Sequence, residues 1–282
     1  MSTPVSPISA DLIDRQVADA IAEDVGSGDI TASLLPEDLF VEAVVVSREA
    51  GVLCGAAWAH AVFTAVDERC ALNWHLQDGA TLAENDVLFA VSGPARALMT
   101  AERTALNFLQ TLSGTASLSA DYVAMVVGTG VKLLDTRKTI PGLRLAQKYA
   151  VRCGGCFNHR IGLFDAFLIK ENHIAACGSL HAAVLRAREI APGTTVEVEV
   201  ENMDQLALAL DARCERIMLD NFDLPTLREA VRLNAGAAEL EASGNVDRES
   251  LREVAETGVD YISIGALTKH CRALDLSMRV LD

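Results

Sequence analysis

A chain of 282 residues is longer than one minimal domain and shorter than three, and with half its residues hydrophobic it can build a sizeable core. Its formal net charge of −15 argues against nucleic-acid and anionic-membrane partners, because both need a basic surface. The longest apolar run, Val52 to Val66, stops at 15 residues and contains His60, too short to span a membrane, and Met1 to Ala10 lacks the basic and apolar regions of a secretory signal.

In chain order, Leu12, Ile13, Val17 and Ile21 recur at helical spacing and predict a helix over Asp11 to Glu23, ending near Gly26 and Gly28. Val41–Val46, Val52–Cys54 and Val87–Val91 read as strands punctuated by glycines, with a helical stretch from Trp58 to Val66 between them. A long helix is expected from Ala101 to Val127. After Gly130 short apolar runs at Val131–Leu134, Ala166–Ile169, Val196–Val200, Arg216–Leu219, Ala237–Leu240 and Tyr261–Ile264 alternate with helical stretches. Those stretches are Leu143–Val151, Ser179–Ile190, Met203–Asp211, Leu224–Leu233 and Asp247–Glu256. Six strands separated by helices call for a parallel sheet with right-handed crossovers. Closure into a barrel is expected, because no Gly-x-Gly-x-x-Gly opens the first unit. The fold class is therefore α/β, a small α+β layer followed by a parallel α/β barrel.

Charge is distributed unevenly. Between Lys132 and Lys170 stand eight Lys or Arg residues against two acids, Asp135 and Asp165, in an otherwise acidic chain. Such a concentration suits a site for small, multiply charged anions. Each predicted strand also finishes in polar or glycine residues: Asp135-Thr136-Arg137-Lys138, Lys170-Glu171-Asn172, Glu199 with Glu201-Asn202, Asp220-Asn221, Ser243-Gly244-Asn245, and Gly265. Parallel barrels build their sites there, at the carboxyl ends of the strands.

Roles follow from side-chain chemistry. Arg137, Lys138, Arg160 and Lys170 are cations, and an arginine can grip a carboxylate with two parallel hydrogen bonds. Glu199 and Asp220, on neighbouring strands, offer the hard oxygens that magnesium prefers when it also bridges phosphates. Glu197, Glu199 and Glu201 alternate and so share one side of their strand; in a strand covered on both faces such glutamates need cations or a metal. Gly244 and Gly265 let backbone N–H groups approach a phosphate, which a following helix start would favour.

Several runs together resemble one family. Asp135-Thr136-Arg137-Lys138-Thr139-Ile140-Pro141-Gly142-Leu143-Arg144 is similar to the signature of quinolinate phosphoribosyltransferases. So are Glu102 to Asn107, Asn158-His159-Arg160, Asp165 to His173, Leu219 to Phe222, Glu241 to Asn245 and Thr257 to Thr268, with Glu23-Asp24 and Gly28 to Thr31 near the start. The matches run in order through nearly the whole chain.

The resemblance implies an N-terminal α/β sandwich domain (1–115), an open α/β barrel of the type II phosphoribosyltransferase fold (116–266), and a segment (267–282) that returns to the first domain. It implies transfer of a phosphoribosyl group from 5-phosphoribosyl 1-pyrophosphate to quinolinate with decarboxylation, giving nicotinate mononucleotide, pyrophosphate and carbon dioxide. Carried over by position, Arg103, Arg137, His159, Arg160 and Lys170 would line the quinolinate site, with Thr136 and Lys138 beside it. Glu199 and Asp220 would hold Mg2+. Ser243, Gly244, Asn245, Ile264, Gly265 and Ala266 would hold the ribosyl phosphate. Lys138, Lys170, Glu199 and Asp220 are the expected catalytic residues. A homodimer is implied, Arg103 reaching the neighbouring subunit's site.

The chain departs from the family pattern at Cys153-Gly154-Gly155-Cys156, where three glycines usually precede the Asn-His-Arg run. That puts the backbone shape of this loop in doubt. The resulting Cys-x-x-Cys reads as a reduced structural pair, since no second pair completes a zinc site. Seven scattered cysteines suit a reducing compartment, so a cytoplasmic location is expected. His60, His75, His173, His181 and His270 read as surface or packing residues. Two enzyme alternatives stand beside the main reading: a barrel lyase with Lys170 as a Schiff-base lysine, and a phosphoribosyltransferase for another heterocyclic acid. A catalytically idle binding protein would have lost a strand-end ligand, and none is missing.

Overall fold

The computed structural model describes residues 8–281, so Met1 to Pro7, most of the stretch expected to carry no secretory signal, lie outside the described residues. The chain forms helix α1 (Ala10–Val25), strands β1 (Phe40–Ser47) and β2 (Gly51–Val52), helix α2 (Ala56–Val66), strands β3 (Ala71–Trp74), β4 (Thr81–Leu82) and β5 (Val87–Pro94), and the long helix α3 (Ala95–Met125). Then follow β6 (Lys132–Leu134), α4 (Arg144–Cys153), β7 (Phe167–Ile169), α5 (Glu171–Cys177), α6 (Leu180–Ile190), β8 (Val196–Val200), α7 (Met203–Asp211), β9 (Arg216–Asp220) and α8 (Leu224–Asn234). The last elements are β10 (Glu239–Ser243), α9 (Leu251–Ala255), β11 (Tyr261–Ser263), α10 (Ala266–Lys269) and β12 (Leu276–Val280).

Two compact units result. Among the described residues the first comprises 8–120, Thr139–Gly155 and 267–281. Its sheet has the order β12-β1-β5-β3, with β12 antiparallel to β1. Val45, Phe89 and Val91 pack from this sheet into a core with Trp58 and Phe63 of α2 and Leu98, Leu106 and Leu109 of α3. The final strand thus joins the first unit, tied again where Leu274 N donates to Gln110 O at 3.0 Å. Thr139–Gly155, with α4, also counts with this unit, whereas a single cut after residue 115 assigns it to the barrel.

The second unit, Asp121–Lys138 with Cys156–Ala266, is a six-stranded parallel sheet in the order β6-β11-β10-β9-β8-β7. Its helices start where short polar side chains satisfy free amides. Ser179 Oγ accepts from Ala182 N at 3.1 Å before α6, Asn202 Oδ1 from Gln205 N at 3.0 Å before α7, and Asp223 Oδ1 from Thr226 N at 2.9 Å before α8.

The two faces of this sheet differ in chemistry. Val196, Val198, Val200, Ile217, Leu219, Leu240, Ala242, Ile262 and Leu133 are all at most 2% exposed and make the apolar face. Register places the opposite set in line: Glu197 beside Arg216 beside Glu239, and Glu199 beside Met218 beside Glu241 beside Tyr261. Period-two alternation therefore sends the glutamates of β8 to one polar face. At one end of that face Arg216 bonds Glu239 (2.8 Å) and lies 4.2 Å over the Tyr261 ring, whose hydroxyl donates to Glu239 at 2.9 Å.

The sheet curls. Phe157 forms a parallel bridge with Leu134 beside β6, yet His159, two residues on, touches Glu197 of β8, four strands away in the sheet order. Only a face closing on itself permits that contact, so the polar face is the inside of an open barrel.

Candidate active site

The carboxyl ends of the strands collect the predicted polar residues. Lys170 follows β7 in extended conformation and begins α5; its N–H donates to His173 Nδ1 at 3.0 Å, so His173 serves the helix start. Its Nζ bonds the Glu199 carboxylate. The turn after β6 is drawn in by Lys138 N donating to Thr136 Oγ1 at 3.1 Å. A Cβ added to Gly265 would stand 3.0 Å from Lys138 Cδ, so the lysine stem runs directly over the end of β11.

Asp220 ends β9 and accepts from Asn221 Nδ2 at 2.9 Å. Asn221 also keys the next strand end: its N–H donates to Ser243 O at 2.9 Å and its Oδ1 accepts from Asn245 Nδ2 at 3.1 Å. A side chain at Gly244 would collide with that amide, its Cβ 2.2 Å from Asn221 Oδ1, and φ there is +90°. Gly244 is therefore required by its neighbour as well as by its own backbone. Of the two glycine-bearing ends, that of β11 leads directly into a helix, α10 opening at Ala266, whereas after Asn245 none begins until Leu251. Ile264 is buried, with its N–H bonded to Leu134 O at 2.8 Å.

Deeper in the barrel lies a cluster that strand-end reasoning did not assemble. Asp135, fully buried, accepts from Asn158 Nδ2 at 2.6 Å and from His159 N at 2.9 Å, which fixes the turn carrying His159 and Arg160. His159 Nε2 lies 2.9 Å from Glu197 Oε2 and 3.5 Å from Glu241 Oε2. Burial pushes Glu197 up to about 7 and, with the charge of Glu197 added, Glu241 up to about 8. The reading of β10 as Ala237–Leu240 missed Glu241, which stands inside the observed strand. The signal for Glu197 was present in the alternating glutamates.

Above this cluster the cations crowd. Burial first, and then the neighbouring Arg137, lower the Arg160 guanidinium from its usual value. Arg137 Nε is buried without a hydrogen-bond partner among the described residues. Two crowded guanidiniums, one of them with a buried donor to spare, are satisfied by an anion with several oxygens. Arg103 is exposed on α3 in the first unit.

The Cys-x-x-Cys reading resolves into two places. Cys153 Sγ, Cys54 Sγ and an Asp78 oxygen lie within 4.8 Å of one another, while Asp78 also accepts from Tyr149 OH (2.9 Å) and Ala56 N (3.1 Å). Cys156 is buried. The loop's left-handed residue is Gly155, at φ +90°, so a side chain at Cys156 meets no backbone strain.

The hard-oxygen pair Glu199 and Asp220 fits a divalent ion that keeps part of its water and shares phosphate ligands. Both carboxylates sit at the ends of adjacent strands, held in place by Lys170 and Asn221.

A parallel barrel with a polar interior, and with cations and carboxylates meeting at its strand ends, defines an enzyme that handles small, multiply charged anions. The sequence matches the Quinolinate phosphoribosyl transferase N-terminal domain over residues 29–113 and the C-terminal domain over 115–279. It is 42% identical over 259 residues to the probable nicotinate-nucleotide pyrophosphorylase [carboxylating] of Bacillus subtilis, covering 92% of this chain and 90% of the relative. The nicotinate-nucleotide pyrophosphorylase [carboxylating] of Mycobacterium leprae is likewise 42% identical, with 92% and 94% covered. The structure of the nicotinate-nucleotide pyrophosphorylase from Francisella tularensis superposes with a TM-score of 0.96 at 46% identity over 100% of both chains. The chain belongs to the quinolinate phosphoribosyltransferase family.

Proposed function

We propose that this enzyme transfers the phosphoribosyl group of 5-phosphoribosyl 1-pyrophosphate to quinolinate and releases nicotinate mononucleotide, pyrophosphate and carbon dioxide. The observation that carries the reading is the closeness of Arg137 and Arg160, the former with a buried Nε that has no partner among the described residues, in a barrel whose strand ends also carry Lys170, Glu199 and Asp220. A dianionic pyridine acid supplies what the guanidiniums lack.

Arg137, Arg160 and Lys170 bind the two carboxylates and orient the pyridine nitrogen, with His159, Thr136 and Lys138 bordering the ring. Ser243, Gly244 and Asn245, with Ile264, Gly265 and Ala266, border the 5-phosphate. Glu199 and Asp220 would hold magnesium, which would supply positive charge to offset that of the departing pyrophosphate. The barrel's own charges stabilise the cationic character that develops on the ribose as the pyrophosphate bond breaks. Once the nitrogen carries the sugar it withdraws electrons, and the adjacent carboxylate leaves as carbon dioxide without a protein nucleophile.

A homodimer in which Arg103 of one copy completes the other's site is part of this reading, supported by the family pattern and by the exposed place of Arg103 on α3. Seven cysteines scattered without framework spacing support a reducing, cytoplasmic setting.

Replacing Arg137 by Ala tests the assignment through binding measured by calorimetry. The variant is expected to lose quinolinate affinity by about a hundredfold, the scale of a lost bidentate charge pair. Near wild-type affinity would contradict the role.

A further inference from the structure

The proposed reaction leaves Glu197 and Glu241 without a task, although burying two carboxyls side by side is unfavourable unless something holds them. They stand on the inner face of β8 and β10, 3% and 0% exposed. Glu241 faces Ser263 and Glu197 as well as His159, but among the described residues no hydrogen bond of regular geometry reaches Glu197 Oε1 or either oxygen of Glu241. The group they share is His159 Nε2, at 2.9 and 3.5 Å.

The other side of the imidazole settles which nitrogen carries its proton. Arg160 N donates to His159 Nδ1 at 2.7 Å. An N–H donor needs a lone pair, so Nδ1 is bare and the ring proton lies on Nε2, next to the two carboxyls; the contact there is one of close approach and charge, without a hydrogen bond of regular geometry. Both ring nitrogens are thus engaged by the protein. His159 N and Asn158 Nδ2 are held from behind by Asp135. The imidazole becomes a strut: one end rests on the two carboxyls, the other carries the backbone of Arg160.

We infer that Glu197 and Glu241 are positioning residues, which hold His159 by Nε2 and through it fix the backbone from which Arg160 reaches the substrate. The inference deepens the quinolinate reading and rests on it for its kinetic consequence. His159 then borders the substrate with its ring, and transfers no proton to it. Gln at position 197 keeps an oxygen facing Nε2; Leu does not.

The test has two readouts. Nitrogen NMR of the unaltered, substrate-free enzyme, with the His159 signal assigned by loss in His159→Gln, should show bare Nδ1 and protonated Nε2. Glu197→Gln should keep that pattern, and Glu197→Leu and Glu241→Leu should lose it. A proton on Nδ1 in the unaltered enzyme, or ring signals unchanged in both Leu variants, would overturn the inference, and the first holds even where a Leu variant fails to fold. In steady-state assays the Leu variants should raise KM for quinolinate at least about tenfold, the scale of one buried partner removed. KM for the pyrophosphorylated sugar should stay unchanged, and Glu197→Gln should restore the unaltered values. Equal rises in both KM values would also overturn it, by marking a general structural role. A disturbed His159 with unchanged quinolinate binding would instead count against the quinolinate site and leave the positioning relationship standing.

Discussion

Lys170 and Glu199 form an ion pair across the neighbouring strands β7 and β8, at the barrel's carboxyl end. The pair joins a residue assigned to the acid substrate with one assigned to the metal, and it ties Nζ to a carboxylate. A Schiff-base lysine must instead present a neutral amine to a carbonyl. Borohydride treatment in the presence of small aldehydes and keto acids is accordingly expected to give no adduct at Lys170 by mass spectrometry. A stoichiometric reduced adduct there would favour the lyase reading.

The turn at Gly244 supplies a prediction about stability. Its φ of +90° and the 2.2 Å approach of an added Cβ to Asn221 Oδ1 leave no room for a methyl group. Gly244→Ala should lower the free energy of unfolding by about 1–3 kcal/mol. It should also weaken binding of the pyrophosphorylated sugar, since Asn221 must move. Urea titration measures the first effect and calorimetry the second; an unchanged urea midpoint would show that the turn is looser than described.

Acidity should leave a mark through Glu241. Its carboxyl, raised from 4.5 to about 8 by burial and by Glu197, faces Glu197, His159 and Ser263. The folded protein keeps a proton there that the unfolded chain gives up, so between about pH 4.5 and 8 the unfolded state binds fewer protons. Stability from this group is therefore present at low pH and is lost as pH rises through that window. The melting temperature should fall more steeply from pH 6 to 8.5 in the unaltered enzyme than in Glu241→Gln. Parallel curves would mean that Glu241 titrates normally.

Much of this was legible in the sequence because barrel strands are short and bounded by turns. Val196–Val200 and Met203–Asp211 were read at their observed limits, and the polar strand ends pointed to the site. What escaped has physical causes. β3 and β4 are short and half exposed, with little apolar signal. β12 gains its strand character from pairing with β1, far away in sequence. The strand Glu239–Ser243 was read too early because two glutamates interrupt its apolar run, and those acids are what the barrel interior uses. Lys170 was visible as a strand-end cation, but its bond to Glu199 depends on the register of β7 against β8, which no local pattern states.

The central claim is tested most directly by incubating the purified enzyme with carboxyl-labelled quinolinate and 5-phosphoribosyl 1-pyrophosphate, with magnesium and with the metal chelated. The account predicts labelled carbon dioxide and nicotinate mononucleotide in equal amounts, with formation of both stopping when magnesium is removed. Absence of both products with magnesium present, from enzyme shown to be folded, would contradict it.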